Sequence, residues 1–257
     1  MERRLYLVAA AATTAAMTAC APDEAPLEAH LGSAAIALEG DRVLDVVSWN
    51  IEWFGAQERG PWDDELQLDT AAEVITRTDG DVWGVQEIVS GRQFSRLADA
   101  VGYESVLADD DLVEEGGDYY SPDEQKVGLL YDARRVRLRS AAVVLGAYNR
   151  DFAGRPPLEV RLAFRRDDGS DWRFTVLVVH MKADAAVASY DRRARAARVL
   201  KDYLDDRADT EPVLVIGDWN DDLDTSQTRG WISPYAPFVD DADRYLFPTE
   251  VFSPRDL

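Results

Sequence analysis

The chain has one cysteine, Cys20, and two histidines, His30 and His180. A lone cysteine excludes an internal disulfide framework. Any imidazole chemistry in the folded part falls on His180, since His30 lies in an N-terminal segment rich in Ala, Pro and acidic residues. Positive charge is also scarce. Lys and Arg number 28 against 49 Asp and Glu, a net charge of −21. Such an acid excess excludes steering to nucleic acid by the overall field, so a polyanionic substrate would have to be held by local arginines and bound cations. The acidity suits solubility in an extracellular setting. The uncharged run from Leu5 to Met17 is too short to cross a bilayer as a stable helix.

That run follows Arg3 and Arg4 and leads through small residues to Met17-Thr18-Ala19-Cys20, which resembles a bacterial lipobox. The expectation is a signal peptide over 1–19, a lipidated Cys20 as mature N-terminus, and a tether over 20–41 containing Pro22, Pro26, Gly32 and Gly40. The protein would then be extracytoplasmic, lipid-anchored to the bacterial membrane or cell surface, or otherwise secreted. Residues 42–257 form the remaining domain. The chain length of 257 and a hydrophobic content of 46% suffice for one full core.

Periodicity orders that domain. Val43–Trp49, Asp81–Val85, Glu104–Leu107, Lys126–Tyr131, Val136–Leu145, Leu158–Arg165, Asp171–His180 and Val213–Gly217 have strand character, and Tyr245–Phe247 starts another. Leu68–Arg77, Phe94–Val101 and Ala185–Arg207 have helical spacing, the last with an apolar face of Val187, Tyr190, Ala194, Ala197, Leu200 and Leu204. Arg192, Arg195 and Arg198 are expected on a solvated face of that helix. Asp167-Asp168-Gly169-Ser170 is a hairpin turn. Strand–helix–strand order occurs twice, over 43–87 and 171–218, and such crossovers make the paired strands parallel. In both units the strands turn polar at their C-terminal ends, at Asn50, Glu87, His180 and Asp218. These ends should meet at one sheet edge, where open α/β sheets bind ligands. The hairpins between the units argue for two packed sheets rather than one doubly wound sheet.

The chemistry of the ends is that of a phosphate and a hard cation. A strand-end carboxylate such as Glu87 suits Mg2+, which takes few protein oxygens and keeps several waters. Asp218 and Asn220 flank Trp219 in one turn; the acid can hold a metal or activate water, and the amide can donate to a phosphate oxygen. His180 with Lys182 nearby suits phosphate binding or proton donation. Arg155, fixed before Pro156 and Pro157, suits a phosphate contact. An EF-hand over Asp218-x-Asn220-x-Asp222 is excluded, because Leu223 and Arg229 replace the turn glycine and closing Glu.

Together, Trp49-Asn50-Ile51-Glu52, Gln86-Glu87, Arg155, His180-Met181-Lys182 and Gly217-Asp218-Trp219-Asn220-Asp221 resemble the ordered motifs of the endonuclease/exonuclease/phosphatase superfamily. The resemblance implies an α+β, four-layer sandwich of two mixed β-sheets with helices outside. It implies Mg2+ or Mn2+ at Glu87 with help from Asn50, and catalytic roles for Asn50, His180, Asp218 and Asn220. Arg155 and Lys182 would contact substrate phosphate. The implied activity is a metal-dependent phosphodiesterase or endonuclease acting on nucleic acid, with no obligate protein partner evident. Alternatives are a lipid or small-molecule phosphoesterase, or a non-catalytic surface lipoprotein that keeps the fold. One departure stands out: the superfamily closes with a Ser-Asp-His segment, and no histidine follows Asn220 here. The expectation is a domain lacking its last strands, and with them part of its catalytic set.

Overall fold

The computed structural model describes residues 6–11, 32–37, 43–56, 58–121, 123–207 and 211–248. Cys20, His30 and Ser253–Leu257 lie outside the described residues. In chain order the strands are β1 (Tyr6–Ala11), β2 (Gly32–Ala37), β3 (Val43–Phe54), β4 (Val82–Ile88), β5 (Glu104–Leu107), β6 (Val113–Glu114), β7 (Lys126–Tyr131), β8 (Val136–Val143), β9 (Leu158–Arg165), β10 (Asp171–His180), β11 (Val213–Asp218) and β12 (Tyr245–Leu246). The main helices are α1 (Asp64–Thr78), α2 (Gly91–Val101) and α4 (Val187–Asp205); α3 (Gly116–Tyr119) and α5 (Ala236–Val239) are single turns.

The strands form a 7-stranded sheet in the order β12-β1-β11-β10-β9-β8-β6 and a 5-stranded sheet in the order β2-β3-β4-β7-β5. Both sheets are mixed. The crossover pairs β3–β4 and β10–β11 are parallel, as the repeated unit predicts, and β9–β10 is the expected antiparallel hairpin. Side chains alternate along each strand, so Val176 and Val178 pack between the sheets while Leu177 and Val179 face α4. Val47, Trp83 and Val85 face α1 and α2 on the other side. The result is the expected four layers: helices, sheet, sheet, helix. Gly84 lets the two sheets pack tightly at this point, since a Cβ there would lie 2.4 Å from Cδ1 of Ile216.

Helix ends explain the small shifts from sequence. α1 begins four residues before Leu68 because Asp63 caps it, accepting from the Leu66 amide at 3.0 Å, with Asp64 and Glu65 in the first turn. Ser90 likewise caps α2, accepting from the Gln93 amide, and Gly102 closes it.

Two N-terminal segments depart from the sequence reading. Residues 6–11, read there as the apolar core of a leader outside the domain, form β1, parallel to β11 with Leu7 opposite Leu214 and Ala11 opposite Asp218. The outer edge of β11 is a row of backbone groups in need of partners, and a small apolar strand satisfies them. Residues 32–37, read as tether, form β2, an antiparallel edge strand on β3.

Candidate active site

The four polar strand ends meet. The centre is Asn50, whose Nδ2 donates to Oε1 of Glu87 at 2.9 Å and to Oδ2 of Asp218 at 3.0 Å. One amide therefore joins a carboxylate of the 5-stranded sheet to one of the 7-stranded sheet. Nε2 of His180 lies 3.8 Å from each of the same two oxygens. Gly217 makes this approach possible: a Cβ there would fall 1.9 Å from the Val179 carbonyl on β10, and the next register pair is His180 opposite Asp218.

The backbone departs from regular geometry where it serves the site. β3–β4 pairing is irregular between Asn50 and Phe54, and β4–β7 pairing between Val85 and Ile88. Bulges of this kind re-aim side chains. Glu52, Trp53, Glu87 and Asn220 all have positive φ, from 49° to 65°. Such strain persists only where surrounding contacts over-determine it. Oδ1 of Asn50 accepts from the Glu52 amide, and Oε2 of Glu87 accepts from the Trp53 amide. Oδ1 of Asp218 accepts from the Asn220 amide at 2.9 Å.

Burial sets the protonation of the buried half. It raises the Asp218 pKa to about 6; Glu87 adds to the rise, while the Asn50 and Asn220 hydrogen bonds and Arg155 oppose it. Burial, then Arg155 and Lys182, drives the His180 pKa well below its ordinary value, so its ring is neutral. Its Nδ1 is buried without a partner. Burial and the charge of Glu87 raise the Glu52 pKa.

Arg155 stands beside this set, donating from Nη1 to Gln125 at 2.8 Å and from Nη2 to the Met181 carbonyl at 3.1 Å. Its Nε is buried and unpaired. The Asn220 side chain also donates to the Met181 carbonyl. Lys182 is placed differently: its Nζ donates to the Ala183 carbonyl, and it touches the site only through its charge.

Sequence reading missed three supports. Gln125 donates to Oε2 of Glu87 at 2.5 Å and accepts from Arg155, linking the two. Gln67 on α1 donates to the carbonyls of Ile51 and Glu52 at 2.8 Å, holding the turn after Asn50. Arg193 is fully buried on α4, where it pairs with Asp221 at 2.8 Å and donates to the carbonyls of Lys182 and Asp184. It thereby ties the segment after His180 to the turn after Asp218. A signal existed for this one. Tyr190, Arg193, Ala197, Leu200 and Leu204 follow helical spacing, and an Arg in an apolar series marks a buried charge with a partner.

Comparison with known proteins shows the family and the fold. Residues 47–248 match the model of the Endonuclease/Exonuclease/phosphatase family, and the chain belongs to that family. No curated protein sequence matches it. The human Nocturnin catalytic domain, solved with bound sulfate, is similar over 77% of this chain and 68% of its own, with 19% identity and a TM-score of 0.53. A conserved protein of unknown function from Enterococcus faecalis is similar over 72% and 69%, with 16% identity and a TM-score of 0.51. The chain spans 61% of the length of a humanized D. rerio TDP2 structure, which covers 68% of this chain with 17% identity and a TM-score of 0.49.

The family implies a divalent cation, and the donors here fit one. Glu87 and Asp218 present hard oxygens converging on one amide, with Glu52 nearby. No group of three or more His, Cys, Asp and Glu is arranged as ligands among the described residues.

Proposed function

We propose that the protein is an exported metal-dependent phosphodiesterase that hydrolyses nucleic acid. Its family hydrolyses phosphoesters. The observation that carries the finer reading is the Asn50 amide bound at once to Glu87 and Asp218, with neutral His180 3.8 Å from both. Glu87, aided by Asn50, would hold Mg2+ or Mn2+, which supplies charge stabilisation at the phosphoryl oxygens. Asp218, its pKa raised to about 6, is ionised at neutral pH yet basic enough to accept a proton from water. Arg155 and the Asn220 amide would bind phosphate oxygens. His180 presents a neutral ring whose N–H can donate to the same group, and its burial keeps that donor desolvated.

The test is a substrate panel with Mg2+ or Mn2+ and EDTA controls: DNA and RNA oligonucleotides, a phospholipid diester and a sugar phosphate. Oligonucleotide turnover about tenfold or more above the others supports this reading. Preference for the lipid or the monoester would replace the substrate, and no turnover of any would favour a non-catalytic surface protein.

Export and lipidation rest on Arg3-Arg4, the run from Leu5 to Met17, and Met17-Thr18-Ala19-Cys20. No helix among the described residues is long and apolar enough to cross a membrane, so membrane retention would depend on acyl chains at Cys20, of which two or more are needed for stable anchoring. Cleavage before Cys20 would also remove β1 from beside β11 and leave that edge open. Mass spectrometry of the mature N-terminus decides the matter: acylated Cys20 is expected, and an intact Tyr6–Ala11 segment would overturn it.

A further inference from the structure

We propose that the cleft between Arg150 and the first turns of α4 is a second anion subsite, which holds the phosphate next to the one being cleaved. This rests on the phosphodiesterase reading and extends it from one phosphate to a strand of them.

The cleft has a volume of about 610 Å3 and is lined by Arg150, Asp151, Ser189, Asp191, Arg192 and Arg195, among others. Arg195 occupies Asp151, donating from Nε at 2.9 Å. Arg192 donates from Nε and Nη2 to the Arg150 carbonyl, at 2.9 and 2.5 Å. The Arg150 guanidinium has neither an ion pair nor a hydrogen bond among the described residues. The cleft thus offers one guanidinium, that of Arg150, which the described residues do not pair.

These cations continue from the reaction centre. The turn that carries Arg150 runs directly to Arg155: the Ala153 amide donates to the Arg150 carbonyl at 3.1 Å and the Arg155 amide to the Phe152 carbonyl at 3.0 Å. On the other side, Arg193 of α4 donates to the carbonyls of Lys182 and Asp184, which ties the start of α4 to the segment after His180. Arg150, Arg192 and Arg195 outnumber Asp151 and Asp191 in the lining, so the cleft keeps local positive charge on a protein of net charge −21, and that charge favours an anion. A phosphomonoester or a lipid diester brings one phosphate and leaves the cleft empty. A nucleic acid strand brings a phosphate with every nucleotide, each suited to a guanidinium, so the occupant is a nucleic acid strand.

The test is an anisotropy titration of a labelled single-stranded oligonucleotide with the full chain in EDTA, at several salt concentrations. Hydrolysis of bis(p-nitrophenyl) phosphate with Mg2+ is measured in parallel. Arg150→Ala should weaken oligonucleotide binding about three- to tenfold. It should also lower the slope of log affinity against log salt by about 0.7, the value per phosphate for single strands. Arg150→Glu should weaken binding further, and neither should change the melting temperature, since Arg150 is exposed. Unchanged affinity and slope in both variants would overturn the subsite, as would a wild-type chain that binds no oligonucleotide. Failure of the phosphodiesterase reading looks different: the small diester is not hydrolysed, yet the Arg150 variants still lose oligonucleotide affinity.

Discussion

The unit β3–α1–β4 holds its functional ends with amide side chains and left-handed turns, whereas β10–α4–β11 holds its ends with a buried ion pair. In the first, Gln67 fixes the turn after Asn50 and Gln125 fixes Glu87, whose side chain remains 15% exposed. In the second, Arg193 and Asp221 are fully buried, and the side chains of His180 and Asp218 are 2% and 4% exposed. The same strand–helix–strand plan thus yields an accessible half, which water and a hydrated cation can reach, and a desolvated half, where fixed charges and donors act strongly. Asn50 is the hydrogen bond that makes one site of the two halves.

The largest expected effect comes from breaking the buried anchor. Arg193→Met leaves Asp221 buried and without its cation, which should cost about 3–5 kcal/mol in urea unfolding. It should also abolish activity, because the segments after His180 and Asp218 lose their shared tie. A loss below about 1 kcal/mol would show that the anchor is dispensable.

The next effect concerns Asp218 in metal-free protein. Its pKa rises from 3.8 to about 6 on folding. The folded state therefore binds this proton more tightly than the unfolded state. The group costs stability as pH rises from about 4 through 6, up to about 3 kcal/mol above that window and nothing below it. Asp218→Asn removes the term and keeps an acceptor for the Asn220 amide. In EDTA the stability difference, variant minus wild type, should therefore grow in the variant's favour between pH 4 and 7. A difference flat with pH would mean that Asp218 is not desolvated as described.

The smallest effect is in the accessible half. Gln67→Ala removes two hydrogen bonds to carbonyls that partly reach water, and should cost about 1–2 kcal/mol. Its consequence for metal-dependent turnover should exceed what that loss implies, since it frees the strained turn at Glu52 and Trp53. A Gln67→Ala cost equal to that of Arg193→Met would erase the distinction between the halves.

Much of this was legible in the sequence because it is periodic. Val43–Trp49 announced its strand as a β-branched apolar run and Asp171–His180 by the hairpin turn before it, and the change to Asn50, Glu87, His180 and Asp218 marked the ends that meet. Gln67 and Gln125 were not legible. Their role depends on where a turn and a strand end fall in space, and a glutamine on a helix or before a strand is ordinary in sequence. Residues 6–11 and 32–37 were missed as strands because neither alternates apolar with polar residues; both are short, Ala-containing segments whose pairing follows from open edges on β11 and β3. Lys182 sat in the right motif, yet its side chain turns to its neighbour's carbonyl.

The central claim is that strand ends from both sheets form one cation-dependent phosphodiesterase site with Glu87 as its metal-holding carboxylate. The direct measurement is bis(p-nitrophenyl) phosphate hydrolysis by wild type and Glu87→Gln across a Mg2+ titration, with EDTA controls and matched melting curves. The account predicts Mg2+-dependent turnover in the wild type, and a fall of about 10²-fold or more with lost Mg2+ dependence in a Glu87→Gln variant that still melts cooperatively. Equal turnover with equal Mg2+ dependence in both proteins would contradict it.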